Sequence, residues 1–173
     1  MSRYAVFLRA INTGRRRIKM ADLAAAYCAS GYEDVATYLA SGNVVLSTAE
    51  PADPGVLSQV VAQAFGFESE AFVRTGAQLA SVIQRNPWPE PGSLVEVSFL
   101  QGPPDPAKAR ALEALVMPPE GLVVDGAETF YLREGKDIET VHKEATTGKV
   151  LGQVTTRRGM RTVVELHDRF FRS

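Results

Sequence analysis

Cysteine and histidine are nearly absent from this chain of 173 residues: Cys28 is the one cysteine, and His142 and His167 are the two histidines. A lone thiol closes no intrachain disulfide and excludes a Cys-rich metal site. Two histidines leave little room for a His-based metal centre or a Ser-His-Asp device, so no metal and no cofactor is expected. Long apolar runs are missing as well. The run from Tyr4 to Leu8 is closed by Arg9 and is far too short for the core of a signal peptide. No window approaches the roughly 18 apolar residues of a membrane span. These absences lead to the expectation of a soluble cytoplasmic protein that has no membrane partner. An excess of one charge is also lacking, since 19 Lys/Arg stand against 20 Asp/Glu, a net of −1. A globally basic nucleic-acid binder is therefore not indicated, although a local basic patch is compatible with that balance.

What is present is ordinary globular composition, 45% hydrophobic and 23% charged. The length suits one domain or two small ones. Charge is segregated along the chain: residues 1–48 carry +3, residues 49–140 carry −8 and residues 141–173 carry +4, which sum to −1. Basic ends that meet in space make a positive face; basic ends that do not are solvated helix faces.

Periodicity divides the chain into short elements. Tyr4–Leu8 reads as a buried strand, and Ile11–Arg17 as a loop with Asn12, Gly14 and three arginines. Met20, Leu23, Ala24, Tyr27 and Cys28 recur at helical spacing, which puts Cys28 on an apolar stripe as an inert core thiol, and Gly31 stands where a C-cap belongs. Asp34–Leu39 and Val44–Leu46 read as strands around a Ser41-Gly42-Asn43 turn. Asp53-Pro54 opens a second helix, Glu70–Arg74 reads as a strand, and Thr75 starts a helix that stops before Pro87. Asn86–Gly92 holds three prolines and reads as a linker, after which the pattern restarts. Leu94–Leu100 is a strand, Asp105-Pro106 opens a helix, and Asp125-Gly126 joins two strands as a hairpin. Asp137–Leu151 reads as a helix, Gln153–Thr155 as a short edge strand, and Val163, Leu166, His167, Phe170 and Phe171 mark a last helical stripe.

Each half thus reads strand–helix–strand–strand–helix–strand–helix, and its first six elements follow the split βαβ order of a ferredoxin-like plait. The expected fold is α+β: two tandem ferredoxin-like α/β-plait subdomains with antiparallel sheets. The expected boundaries are 1–86, a Pro-rich linker at 87–93, and 94–173.

Three stretches place polar residues where core building does not need them. Arg9 follows a buried strand directly, and Asn12 and Lys19 bracket the next helix start, a common place for an anion. No Walker or Rossmann glycine array accompanies them. Ser41 and Asn43 offer hydrogen-bonding groups in the second stretch, or serve only as a hairpin turn. In a plait these two loops are expected at opposite ends of the sheet. The third stretch, Thr155–Thr162, puts hydroxyls and arginines before the last helix, against the macrodipole preference for acids, as though an anion lay between them.

Taken together, LRAIN with Gly14, Lys19 and Met20, then TYLASGN, then Asn86-Pro87, then Thr155-Thr156-Arg157 with Thr162, resemble the domain of unknown function 1697 family of bacterial proteins. The pattern typical of that family reads LLRGINVGG with a following Lys and Met, TYLQSGN, an Asn-Pro pair and TTRNWNT. The resemblance runs from Arg3 to about Phe170 and implies two α/β-plait subdomains; it implies no function. Ala10 stands at the usual glycine, Thr13 at the usual valine, and Arg15-Arg16-Arg17 makes the first loop more basic. Arg158-Gly159-Met160-Arg161 replaces Asn-Trp-Asn, which removes a stacking platform.

The expected function is binding of a phosphate-bearing or other anionic ligand, a nucleotide or small phosphate, at a basic site between the subdomains. Arg9, Asn12, Lys19, Ser41, Asn43, Thr156 and Arg157 are the expected binding residues, with Arg158 as a further cation. Nucleic-acid binding is one alternative, although the strands show no RNP-type aromatic motif. A metal-free enzyme is another, although no nucleophile–base pair is legible, and a homodimeric interaction module is a third.

Overall fold

The computed structural model describes residues 1–133 and 143–172. The chain divides into two compact units, residues 1–80 with 166–173, and residues 81–165.

The first unit begins with β1 (Ser2–Leu8), α1 (Met20–Ala29), β2 (Glu33–Tyr38), β3 (Asn43–Thr48), α2 (Pro54–Phe65) and β4 (Ala71–Thr75). The four strands form one antiparallel sheet in the order β2-β3-β1-β4. One face of that sheet packs under α1 and α2, where Val6, Leu8, Val44, Leu46, Leu23, Tyr27, Leu57 and Val61 are buried together. Local chemistry fixes the helix ends. The Asp53 carboxylate accepts from Val56 N at 2.9 Å, Pro54 occupies the first turn, and Gly66 closes α2 in the left-handed region. The α1 stripe is narrower than its spacing suggests: Leu23 and Tyr27 are buried, whereas Cys28 is exposed and is not a core thiol. The next helix, α3 (Gly76–Gln84), spans the division at Ala80. Thr75 starts it as expected, its hydroxyl accepting from Gln78 N at 3.1 Å.

The second unit holds β5 (Leu94–Leu100), α4 (Pro106–Glu113), β6 (Gly121–Asp125), β7 (Glu128–Arg133), α5 (Glu144–Leu151) and β8 (Thr155–Gly159). Its sheet repeats the antiparallel order, β6-β7-β5-β8. The last helix, α6 (Met160–Phe170), spans the division at Glu165. Asp105 caps α4 by accepting from Ala107 N and Lys108 N, at 2.8 and 3.2 Å. The proline-rich segment 87–93 holds no helix or strand and lies between α3 and β5. Within it the Asn86 side chain brackets Trp88, accepting from its N–H and donating to its carbonyl.

The helix expected at 137–151 is present from Glu144; residues 137–142 lie outside the described residues. The strand expected at Gln153–Thr155 is instead β8, five residues long from Thr155, and the basic stretch before the last helix is therefore strand rather than loop. Thr155 and Arg157 face one side and Thr156 and Arg158 the other. Both faces read as polar, so the alternation that usually reveals a strand is hidden.

Candidate functional site

In the first sheet β1 runs antiparallel to both β3 and β4, so the end of β1 meets the beginnings of the other two. The loops 9–19, 39–42 and 66–70 consequently gather at one end of the sheet. The expectation that the first two lie at opposite ends is overturned. Because β3 returns antiparallel to β1, the β2–β3 turn sits above the C-terminal end of β1. Direct bonds tie the loops: Leu8 N donates to the Gly42 carbonyl at 2.9 Å, Arg9 N to the Glu70 carbonyl at 3.0 Å, and the Ser69 hydroxyl to the Arg9 carbonyl at 2.7 Å.

Backbone strain marks the same loops. Ala10 and Leu39 hold φ of +54° and +58°, a region that costs a side chain roughly 1–2 kcal/mol. The glycine usual at position 10 in the resembling pattern thus has a conformational reason. Gly42, at φ +82°, is required twice over, since a Cβ there would stand 2.8 Å from Ile11 Cγ1 and 3.2 Å from Leu8 Cβ.

Asn12 is the clamp of the first loop. Its carbonyl oxygen accepts from Ile18 N at 2.7 Å, and its amide donates to the Ile18 carbonyl at 3.2 Å and the Ala40 carbonyl at 2.8 Å, joining the two loops. Asn43 is the corresponding clamp of the second. Fully buried, it donates to the Tyr38 carbonyl at 2.8 Å and to the Ser41 hydroxyl at 3.0 Å. Asn12 shapes the loop that carries the charge, and Asn43 with Ser41 shapes the uncharged loop beside it.

Arg9, Arg15, Arg16, Arg17 and Lys19 stand in one loop with no acid among them. Arg9 faces Glu70 across 3.3 Å, a pair in which both side chains are about two-fifths exposed, at 44% and 39%. Arg16 lies 4.3 Å over the Phe67 ring and donates to the Ala10 carbonyl, while Arg17 donates to the Gly14 and Arg16 carbonyls. Among the described residues, Arg15 and Lys19 have no carboxylate within ion-pair distance. Lys19 is exposed and stands at the N-cap of α1, whose first turn has no side-chain cap.

Thr156 and Arg157 stand in the second unit, on opposite faces of β8. Thr156 is buried, and its hydroxyl accepts from Arg158 Nη1 at 2.9 Å. Burial pushes the Arg158 guanidinium down to about 10, opposed by the Glu144 carboxylate. Arg157 donates to Glu96 at 3.2 Å, Ser98 at 3.2 Å and Thr147 at 3.3 Å, and lies 5.6 Å over the Tyr131 ring. Five of the seven expected residues therefore share one end of the first sheet, and the other two belong to the second sheet. Ser69 and Glu70 at the first place, and Glu96, Ser98 and Thr147 at the second, were not singled out by sequence. Glu96 and Ser98 alternate with Val95, Val97 and Phe99, a pattern that reads equally as a solvated strand face.

Among the described residues, no group of three His, Cys, Asp or Glu side chains is arranged to hold a metal ion, and no helix is long and apolar enough to cross a membrane. The structure is similar to that of a conserved bacterial protein from Streptococcus pneumoniae, with a TM-score of 0.77, 22% identity and 99% of each chain covered. At that identity the likeness concerns the fold. No curated protein matches the sequence. The model of the family described as "Protein of unknown function (DUF1697)" matches residues 1–130, which takes in both clamped loops and Asn86-Pro87 and ends before β8. With its clamped LRAIN and TYLASGN loops inside that match, the chain belongs to the DUF1697 family.

Proposed function

We propose that the protein binds a phosphate-bearing ligand, a nucleotide or small phosphate, on the loop cluster at the end of the first sheet. The observation that carries the reading is the charge imbalance of this end. Five cations share loop 9–19, and among the described residues only Arg9 has a carboxylate partner, the exposed Glu70. Like charges held this close repel one another and favour an anion between them. The clamps Asn12 and Asn43 hold the loops in place, and strain at Ala10 and Leu39 is of the kind that gathers at functional sites. The α1 N-terminus, capped by no side chain, adds backbone N–H groups beside Lys19. Thermal shift of the whole chain across a panel of nucleotides and sugar phosphates tests this. Stabilisation that Arg9→Ala and Lys19→Ala weaken supports it, and a panel without a hit rejects it.

Exposure of Arg15, Arg16, Arg17 and Lys19 favours nucleic acid as the second reading. Affinity for duplex DNA would then fall with a log–log salt slope of about −0.9 per phosphate contact. We further propose that each unit is a ferredoxin-like plait, which the order β2-β3-β1-β4 and its repetition in the second sheet support. A cytoplasmic location fits the single exposed thiol of Cys28.

A further inference from the structure

Arg15, Arg16 and Arg17 are consecutive in loop 9–19, yet their guanidiniums are used differently. Arg17 turns back on its own loop, donating to the Gly14 and Arg16 carbonyls at 3.0 and 2.7 Å. Arg16 reaches across to the neighbouring loop 66–70 and lies 4.3 Å over the Phe67 ring. Both partners of that contact are anchored. Arg16 N donates to the Thr13 carbonyl at 3.1 Å, and the Asn12 clamp on Ile18 closes the segment around this turn. Gly66 ends α2 in the left-handed region, and the half-buried Phe67 that follows packs against the core of the first unit. A ring held by the core thus carries a guanidinium, while Arg16 itself stays exposed.

Charge alone does not call for this arrangement. Arg9 and Lys19 already supply cations to a phosphate, and an ammonium serves that purpose as a point charge. A guanidinium differs in being planar, weakly hydrated and able to stack. Ordering a long exposed side chain costs entropy, and at Arg16 the Phe67 ring has offset that cost before any ligand arrives. Unpaired nucleobases stack on aromatic rings and on arginine planes, and one open face is enough for this, with no enclosed cavity. The placement also suits a nucleotide. Arg16 Nη1 donates to the Ala10 carbonyl at 3.4 Å, which sets the guanidinium beside the residue that follows Arg9.

We propose that the ligand of the loop cluster carries an unpaired nucleobase beside its phosphate, and that the base stacks on the Arg16 guanidinium, with Phe67 as the ring that holds it. The proposal rests on the phosphate-binding reading above and narrows it from any phosphate to a base-bearing one, with Arg16 and Phe67 as the specificity-determining pair.

The test is calorimetric titration of the full-length protein with AMP and, separately, ribose 5-phosphate, which have the sugar phosphate in common and differ in the base. Wild type binds AMP about tenfold or more tightly than ribose 5-phosphate. Arg16→Lys keeps the charge and loses the plane: it weakens AMP about fivefold or more, leaves ribose 5-phosphate within twofold, and leaves the urea midpoint in place. Phe67→Leu keeps an apolar side chain and narrows the same preference. A single-stranded adenylate hexamer tells the two sources of such a base apart, since tighter binding than AMP supports a strand and no gain over AMP supports a free nucleotide. Equal affinity of wild type for AMP and ribose 5-phosphate overturns the base-stacking proposal and leaves phosphate binding standing, whereas binding of neither removes both. Parallel loss of the two ligands in Arg16→Lys also overturns it, because Arg16 would then be one more cation.

Discussion

Ala10→Gly should make the protein more stable, an uncommon direction for a substitution in a loop. Ala10 holds φ +54°, where an L side chain costs roughly 1–2 kcal/mol and glycine essentially nothing. Glycine also loosens the unfolded chain, which takes back about 0.4–1 kcal/mol. The hydrogen bonds that the Ala10 carbonyl accepts from Thr13 and Arg16 belong to the backbone and survive the change. The difference is a gain of up to about 1.6 kcal/mol, centred on about 0.8 kcal/mol. Melting followed by far-ultraviolet circular dichroism reads it. A gain of 1 kcal/mol raises Tm by about 4–8 °C if the first unit melts alone and by about 2–4 °C if the chain melts as one. Gly42→Ala, in the neighbouring loop, has the opposite sign. It adds positive-φ strain to overlap with Ile11 and should cost about 2–4 kcal/mol. Destabilisation by Ala10→Gly would mean that the loop does not hold this backbone in solution, and the clamp geometry built on it would fall too.

Glu70→Gln frees Arg9 from its carboxylate and should tighten binding of the nucleotide or sugar phosphate that scores in the thermal-shift panel; looser binding would show that Glu70 serves the ligand directly. Gly121→Ala should destabilise the second unit by more than 1 kcal/mol, because the new Cβ overlaps the ring of Trp88, and fluorescence of that one tryptophan reports the loss. Tyr27→Phe tests pH dependence. Burial, then the neighbouring Tyr32, raises the Tyr27 phenol above its ordinary value of 10.0, so the folded state resists an ionisation that the unfolded state undergoes. Stability from this group is complete below pH 10 and falls above it by up to about 1.4 kcal/mol per pH unit. Arg158 acts in the opposite sense from about pH 10 upward and is common to both proteins. The variant should therefore hold its urea midpoint better than wild type at pH 11; parallel curves would contradict the burial.

Much of the fold can be read from the sequence because its signals are local. Asp53-Pro54, Asp105-Pro106 and Asp125-Gly126 each name their own turn or cap, and Tyr4–Leu8 and Leu94–Leu100 carry the central strands. What hides is non-local. The alternation of β8 is masked because Arg157 is matched by Glu96, sixty-one positions away, and Arg158 by Thr156 on the other face. The meeting of the first two loops follows from the direction of β3, which neither loop encodes. Asn12 and Asn43 attract notice as polar residues beside apolar strands, yet their side chains fold the loops through bonds to distant backbone groups, which the sequence does not spell out. Cys28 misled because helical spacing gives the stripe but not its width.

The direct test of phosphate binding at the loop cluster is a calorimetric titration of Arg9→Ala beside wild type with the tightest nucleotide or sugar phosphate. The Arg9–Glu70 pair is exposed, so the substitution should lower stability by less than about 1 kcal/mol, rather than the roughly 3–5 kcal/mol of a broken buried pair. Affinity should fall at least tenfold while the urea midpoint barely moves. Unchanged affinity, or a large loss of stability at unchanged affinity, would make Arg9 a structural residue and remove the site.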